Sequence, residues 1–133
     1  MAKAPKDPVI ERIISVLNSG ERQDLIVLII PSHRGDRPLS NQTEWAGAGL
    51  ELFAELYTGA TAFQTFKGIY KDSAGKVHYD NPILIESYVQ RADAEDEQKL
   101  GQLLEFAKRM GRETGQVAVG IVINDVFFGI IDF

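Results

Sequence analysis

Hydrophobic residues follow two different periods along this chain, and their order predicts the fold. Residues 25–30 are apolar at every position, which is typical of a strand that is covered on both faces. Residues 41–57 and 93–110 instead repeat their apolar positions every three or four residues, as amphipathic helices do. In the first of these helices Asn41 is placed to cap the start, and Gly59 suits a left-handed position at the end. In the second, Asp93 is placed to cap the start.

Shorter apolar stretches between and after these helices predict two hairpins. Residues 63–70 and 83–89 are strand-like and flank a polar turn at 71–76. Residues 117–123 form a further strand, and 126–133 pair back onto it through a tight turn. A short helix that starts at Pro8 precedes the first strand.

The resulting order predicts an α+β protein with a ferredoxin-like core. Its centre is a βαββαβ arrangement, an antiparallel sheet with two helices on one face, to which the chain adds an N-terminal helix and an extra C-terminal edge strand. Residues 1–133 are expected to form a single domain, with residues 1–20 as a leader and docking helix. Since two helices cover only one face of the sheet, the N-terminal helix or a second subunit must cover the other. We therefore expect a homodimer that forms through the sheet.

Composition narrows the possible functions. A formal net charge of −5 and a pI near 5.0 argue against a general nucleic-acid-binding protein. The chain has no cysteine and only two histidines, so neither a thiolate site nor a histidine-rich metal centre is expected, and a cytoplasmic location is predicted. Residues 25–31 are too few to span a bilayer, so no membrane association is expected. No phosphate-binding or dinucleotide-binding glycine motif occurs, and we expect no cofactor.

The junction between the second helix and the next strand, residues 110–116, concentrates polar groups between two glycines. In one interpretation Arg112 clamps a carboxylate or phosphate of a ligand, Glu113 acts as a general base and Gln116 orients the ligand. In the other, Arg112 satisfies the carbonyls at the helix end, while Thr114 and Gln116 hold the turn. Both interpretations are consistent with the sequence.

A second candidate site lies on the strand at 83–89. Alternation along that strand places Glu86 and Tyr88 on the face opposite Ile85. If that face borders a cavity, the two side chains can act as an acid–base group and a hydrogen-bonding group, with the pKa of Glu86 raised. If it faces solvent, they form an ordinary polar surface. The loop at 32–38 offers His33 and two arginines either to an anion or to solvent.

Several short motifs resemble a group of small bacterial proteins of unknown function. These motifs are Trp45, the turn Thr58-Gly59-Ala60-Thr61, the strand Gly68-Ile69-Tyr70, Ser87-Tyr88-Val89 and the junction Gly111-Arg112-Glu113-Thr114-Gly115-Gln116. The resemblance spans roughly residues 25–131 and does not include the N-terminal helix. It implies a ferredoxin-like fold and a bacterial cytoplasmic setting, and it implies no activity.

Three functions fit these observations. The first is a non-catalytic module that binds a small molecule or a partner and dimerises through its sheet. The alternative is a small metal-independent enzyme with a pocket on the sheet face that uses Glu86, Tyr88 and Arg112. A third is an assembly partner that pairs through the apolar edge strand at 126–133. A pocket that contains both Glu86 and Arg112 would favour the enzyme.

Overall fold

A five-stranded antiparallel sheet is the centre of the structure. The computed structural model describes residues 7–133, and most of the expected leader lies outside the described residues. In sheet order the strands are β4 (Thr61–Gln64), β7 (Ile83–Gln90), β1 (Gln23–Ile30), β8 (Val119–Ile123) and β9 (Val126–Ile130). With one helix after β1 and another after β7, this is the predicted ferredoxin-like arrangement, and β9 is the predicted extra edge strand.

Two long helices, α2 (Gln42–Tyr57) and α4 (Glu97–Glu113), cover one face of this sheet. The core between them and the sheet includes Leu28, Phe53 and Met110, each with 0% of its surface exposed. Trp45 packs edge-to-face against Phe106, with 5.7 Å between the ring centroids. Trp45 therefore anchors α2 to α4.

The helix ends differ in detail from the prediction. Asn41 precedes α2 as expected, but its side chain makes no capping bond, and Thr58 rather than Gly59 takes the left-handed position after it, with φ of 69°. A separate short helix, α3 (Arg91–Ala94), comes before α4. As a result Asp96, not Asp93, caps α4 and accepts a hydrogen bond from the backbone N–H of Lys99.

The expected strand at 63–70 is two strands that belong to different sheets. Its first part is β4, while β5 (Gly68–Lys71) and β6 (Val77–Asp80) form a hairpin of their own. The break occurs after Thr65, whose backbone N–H and hydroxyl both donate to the carbonyl of Pro82, because Pro82 has no N–H to return the bond and the ladder ends there. A second short hairpin, β2 (His33–Arg34) with β3 (Arg37–Pro38), follows β1.

Both short hairpins lie at the same end of the main sheet. Strand β1 ends where β7 begins, because Ile30 pairs with Ile83. Strand β8 runs antiparallel to β1 and enters from the same end, after the junction at 110–116. Three connecting segments therefore gather there, which is the usual place for a binding site on a rigid sheet.

The N-terminal helix α1 (Pro8–Leu17) buries none of its residues. Asp7 caps it by accepting a hydrogen bond from the N–H of Val9 at 2.9 Å. Its apolar side chains Val9, Ile13, Val16 and Leu17 are 47% to 76% exposed. On the sheet face away from α2 and α4, Tyr88 and Phe127 are also more than half exposed. The expected cover of that face by α1 is thus absent within a single chain, as far as residues 7–133 are concerned.

No helix among the described residues is long and apolar enough to cross a membrane.

Candidate functional site

The glycine-rich junction at 110–116 mainly fixes the end of α4. A Cβ placed on Gly111 would lie 2.4 Å from the ring of Phe133, so this glycine makes room for that ring. Gly115 has φ of +64°, where glycine is favoured, and the side chain of Arg34 lies across it. Thr114 is 2% exposed and its hydroxyl donates to the carbonyl of Met110 at 2.6 Å.

The structure separates the three candidate residues of this junction. Arg112 and Glu113 are exposed on α4, and Glu113 lies 3.7 Å from Arg109 as a surface ion pair one helical turn away. Gln116 turns the other way. Its amide nitrogen donates to the carbonyls of His33 at 2.8 Å and of Thr114 at 3.1 Å. Since both hydrogens of this amide are used, Gln116 offers a ligand its side-chain carbonyl oxygen.

Gln116 lines a cavity of about 440 Å³ at the end of the sheet where the hairpins gather. We call this the hairpin cavity. Its lining comes from three segments: Ile29, Pro31, Ser32, His33 and Gly35 at the end of β1 and after it; Tyr70, Tyr79, Asp80 and Pro82 on the β5–β6 side; and Gly115, Gln116, Val117, Ala118, Val119 and Gly120 before and within β8. Its volume lies in the range of about 300–1,000 Å³ that is usual for small-molecule sites.

The β5–β6 ladder decides which side chains face this cavity. Tyr70 pairs with His78 and Gly68 pairs with Asp80, so Tyr70 and Asp80 share one face of the hairpin. Tyr79 lies on the other face, where the Lys67 ammonium is 4.6 Å from the centre of its ring. Tyr70 and Asp80 line the cavity from this shared face, and Tyr79 lines it as well.

Gly68 sets the position of the Asp80 carboxylate. A Cβ on Gly68 would lie 2.1 Å from Asp80 Oδ1, closer than any real contact. Asp80 can lie flat across the strand only because position 68 has no side chain. The carboxylate is thereby held over the backbone of Gly68.

A buried hydroxyl holds the opposite wall in place. Ser32 is 6% exposed, and its Oγ accepts a hydrogen bond from the Asn81 N–H at 3.0 Å. A second hydrogen bond, 2.6 Å long, joins Ser32 Oγ to Nδ1 of the neighbouring His33. The bond from Asn81 connects the loop after β1 to the loop between β6 and β7.

A charged cluster around His78, the cross-strand neighbour of Tyr70, links the two hairpins. The imidazole nitrogens of His78 lie 2.7 Å from Asp36 Oδ1 and 2.8 Å from Asp72 Oδ2. These carboxylates, Asp72 first, raise the pKa of His78. Hydrogen bonds from Lys76 and then His78 lower the pKa of Asp36, and the bond from His78 lowers that of Asp72. The imidazole stacks on the Tyr70 ring, with 4.9 Å between centroids and 16° between planes.

Glu86 and Tyr88 line a different cavity. It has a volume of about 260 Å³, lies between the end of α2 and β7, and also includes Tyr57. Arg112 lines neither this cavity nor the hairpin cavity. The three residues of the enzyme alternative are therefore not brought together by either cavity, and Glu86 and Tyr88 remain candidates for a separate site.

Tyr57 is buried beside this second cavity. It is 4% exposed, and its hydroxyl has no hydrogen-bond partner among the described residues. Burial, followed by the charges of Asp93 and Asp96, raises the pKa of Tyr57 to about 12. Its hydroxyl is therefore neutral at physiological pH.

Sequence reasoning missed Tyr70 and Asp80 as site residues. Tyr70 ends the predicted strand at 63–70, Asp80 lies in the segment that leads to the predicted strand at 83–89, and their positions differ by ten residues along the chain. A usable signal was the aromatic and acidic pair Tyr79-Asp80 directly before Asn81-Pro82, a turn at the start of a strand. That signal indicates a loop near β7 but not which other segments approach it.

Comparisons with known proteins show similarity of fold. No family model and no curated protein matches the chain. Among solved structures, it is similar to a phage SAM lyase in complex with S-methyl-5′-thioadenosine, with a TM-score of 0.62 and 14% identity over 84% of this chain and 92% of that one. The apo form of a phage SAM lyase gives a TM-score of 0.63, also at 14% identity, over 84% of this chain and 91% of that one. The divalent ion tolerance protein CutA1 from Ehrlichia chaffeensis gives 0.52 at 13% identity, over 81% and 84%. At these identities the likeness concerns the fold alone.

Proposed function

We propose that this protein binds S-adenosylmethionine in the hairpin cavity and cleaves it to S-methyl-5′-thioadenosine. The observation that carries the proposal is that an aromatic residue, Tyr70, and an acidic residue, Asp80, lie on one face of the β5–β6 hairpin and line the same cavity as the apolar Ile29. The fold shared with a phage SAM lyase that holds S-methyl-5′-thioadenosine supports this choice of ligand.

The chemistry of the cavity suits the parts of this molecule. An aromatic face stacks with adenine, and such stacking contributes about 1–3 kcal/mol. The Asp80 carboxylate can accept hydrogen bonds from ribose hydroxyls or from the ammonium group of the ligand. The carbonyl oxygen of Gln116 is an acceptor for the adenine amino group.

The reaction asks little of the protein in the way of catalytic groups. In S-adenosylmethionine the carboxylate oxygen can attack Cγ of its own methionine chain. The Cγ–S bond then breaks, the electron pair stays on sulfur, and the products are S-methyl-5′-thioadenosine and homoserine lactone. No proton, water or enzyme nucleophile is consumed. The scarcity of catalytic residues in this chain is therefore no argument against this enzyme.

The apolar floor assists such a step. The reaction removes the negative charge of the carboxylate and the positive charge of the sulfonium, because one becomes a lactone and the other a thioether. Surroundings less polar than water therefore favour it. Ile29, Pro31 and Val119 supply that surrounding in the hairpin cavity. A cavity that keeps the methionine part of the ligand folded also holds its carboxylate near Cγ. This proximity accelerates an intramolecular reaction.

A turnover assay tests the proposal. Purified protein is incubated with S-adenosylmethionine, and S-methyl-5′-thioadenosine is quantified by liquid chromatography and mass spectrometry against a protein-free blank. We expect product above the blank and a loss of at least tenfold in Tyr70→Ala and Asp80→Asn. Glu86→Gln and Arg112→Ala are matched controls that should keep the activity, because neither residue lines the hairpin cavity.

The outcomes separate the candidate functions. Loss in Glu86→Gln with retention in Asp80→Asn would move the site to the second cavity. Binding of S-methyl-5′-thioadenosine by calorimetry without turnover would support a non-catalytic binding module. If neither turnover nor binding is detected, the ligand assignment is wrong.

We also propose that the protein assembles as a homodimer through the open face of its sheet. The apolar side chains of α1 and the exposed Tyr88 and Phe127 provide two uncovered surfaces that a second copy can bury. Light scattering coupled to gel filtration should give twice the monomer mass. Val16→Asp should shift it to the monomer, whereas a wild-type protein that is monomeric at all accessible concentrations would refute the dimer.

A further inference from the structure

Only the protonated form of His78 can make hydrogen bonds with both of its ring nitrogens in this structure. Each ring nitrogen lies within 2.8 Å of an oxygen of a different carboxylate, Asp36 or Asp72. An ionised carboxylate only accepts hydrogen bonds, so both ring nitrogens must donate. A neutral imidazole carries one N–H and would leave one of the two contacts without a proton.

These two contacts join segments that are far apart in sequence. Asp36 lies in the turn between β2 and β3, whereas Asp72 and His78 belong to the β5–β6 hairpin. Lys76 adds a further bond to Asp36 at 2.6 Å. Each of the two hairpins supplies part of the lining of the hairpin cavity. The charged imidazole thus ties two walls of the cavity together.

The same imidazole also stacks on the ring of Tyr70. Its plane is 16° from that of the Tyr70 ring, and the ring centroids are 4.9 Å apart. A cationic ring is attracted to the face of an aromatic ring. The side chain of His78 is only 12% exposed, so solvent screens this contact less than it would screen one at the surface.

We propose that protonated His78 is a positioning residue that fixes Tyr70 and closes the wall of the hairpin cavity, so that binding of an adenine nucleoside weakens when His78 loses its proton. The choice of ligand rests on the proposed function. The link between the two hairpins does not.

The direction of the pH effect follows from the neighbours of His78. The groups that face it are Asp36 from the β2–β3 turn, together with Asp72, Lys76 and Tyr70 from its own hairpin. The two carboxylates raise its pKa above the ordinary value of 6.5, whereas the contribution of desolvation is opposite and smaller. The stabilising link is therefore complete below pH 6.5 and is lost as pH rises through the raised pKa of His78.

Nuclear magnetic resonance tests the link without any ligand. The imidazole of His78 is titrated in wild-type protein, in Asp36→Asn and in Asp125→Asn. We expect a pKa above 6.5, a lower pKa in Asp36→Asn because one of the two carboxylates has lost its charge, and no change in the control, whose exposed carboxylate lies at the β8–β9 turn. The ring signals of Tyr70 should shift with the same midpoint.

Calorimetry with S-methyl-5′-thioadenosine tests the consequence for binding. Affinity in wild type should fall about fivefold or more across the His78 midpoint, the low end of what the loss of one stacking contact costs. His78→Arg keeps a fixed charge with donors for both carboxylates, so its affinity should not change with pH over that range. His78→Gln should bind with the weak, pH-independent affinity of the deprotonated wild type.

Each result has a separate meaning. A His78 pKa of 6.5 or below, or Tyr70 signals that ignore the titration, would overturn the positioning role. Affinity in His78→Arg that still falls at the wild-type midpoint would overturn it as well. If S-methyl-5′-thioadenosine binds no variant at any pH while the Tyr70 signals follow His78, the ligand of the proposed function is wrong and the link between the hairpins is supported.

Discussion

Gly68→Ala gives a direct test of the geometry assigned to the hairpin cavity. Gly68 does not have a positive φ, so alanine is compatible with its backbone. The obstacle is the Asp80 carboxylate, whose Oδ1 would lie 2.1 Å from the new Cβ. The backbone oxygen of Asp80 would be at an ordinary 3.7 Å. The substitution therefore displaces the carboxylate and leaves the hairpin backbone in place.

The size of the effect follows from the distance that the carboxylate must move. Contacts of a Cβ below 3.0 Å essentially do not occur, so Oδ1 must withdraw by roughly 1 Å. A misplacement of about 1 Å in a site that orients its substrate can cost about 10²-fold in rate, which corresponds to about 2.7 kcal/mol. Stability should change by no more than about 1 kcal/mol, because alanine restricts the unfolded chain more than glycine does.

The assay pairs turnover of S-adenosylmethionine with urea unfolding. Gly68→Ala should lower kcat/KM by about 10²-fold while its unfolding midpoint stays close to that of wild type. Gly47→Ala is the matched control, since a Cβ there meets nothing within 4 Å and the position is exposed on α2. It should keep the activity and gain up to about 1 kcal/mol of stability. Wild-type kcat/KM in Gly68→Ala would refute the role assigned to the Asp80 carboxylate.

Substitutions at four further positions test other parts of the structure. Tyr57→Phe removes a buried hydroxyl that has no hydrogen-bond partner within residues 7–133 and should stabilise the protein by about 1 kcal/mol in urea unfolding. Because the pKa of Tyr57 rises from 10.0 in the unfolded chain to about 12 in the folded one, wild type should lose stability between these pH values, and the variant should lose less. Asn124→Ala loses the bond from the Leu25 N–H at 3.0 Å and strains a residue with φ of 57°, so it should cost about 1–2 kcal/mol, whereas Asn124→Gly should cost less. Arg112→Ala should change stability by less than about 0.5 kcal/mol and Gln116→Ala by about 1–2 kcal/mol, and the reverse order in thermal unfolding would contradict the structure of the junction.

The sheet and the long helices could be predicted from the sequence because the spacing of apolar residues within each segment reflects which of its faces are buried. Residues 25–30 are apolar on both faces, and the strand they form is the central one, flanked by β7 and β8. The spacing of apolar residues in α2 and α4 likewise matches the stripes that pack on the sheet. These are local patterns, and a single segment contains all of the information.

The boundaries that failed depend on contacts between distant residues. The pattern at 63–70 continues through the break, and the break exists because the partner of Thr65 is Pro82, 17 residues away, which has no N–H to continue the ladder. Asp93 and Asp96 are both plausible caps by residue type. The short helix α3 before α4 decided between them, and a four-residue helix leaves little trace in a sequence.

The site was harder to predict than the fold for a similar reason. The junction at 110–116 attracted attention because its polar groups are adjacent in sequence, yet only Gln116 among the junction's candidate ligand-binding residues reaches the hairpin cavity. Tyr70 and Asp80 became a pair only through the register of β5 with β6. The Asp80 carboxylate occupies the space that a side chain at position 68 would fill. A single glycine in a strand does not show in the sequence which neighbouring side chain lies over it.

Because the β5–β6 hairpin is separate from the main sheet, its sequence can be altered with little effect on the rest of the protein. The hairpin exchanges no ladder bonds with the five-stranded sheet and contributes no residue to the buried core. Substitutions that alter its length or its cavity-facing residues therefore leave the main source of folding stability intact. Ligand choice and thermodynamic stability can vary almost independently, and a library restricted to residues 68–80 is a practical route to new specificities on the same scaffold.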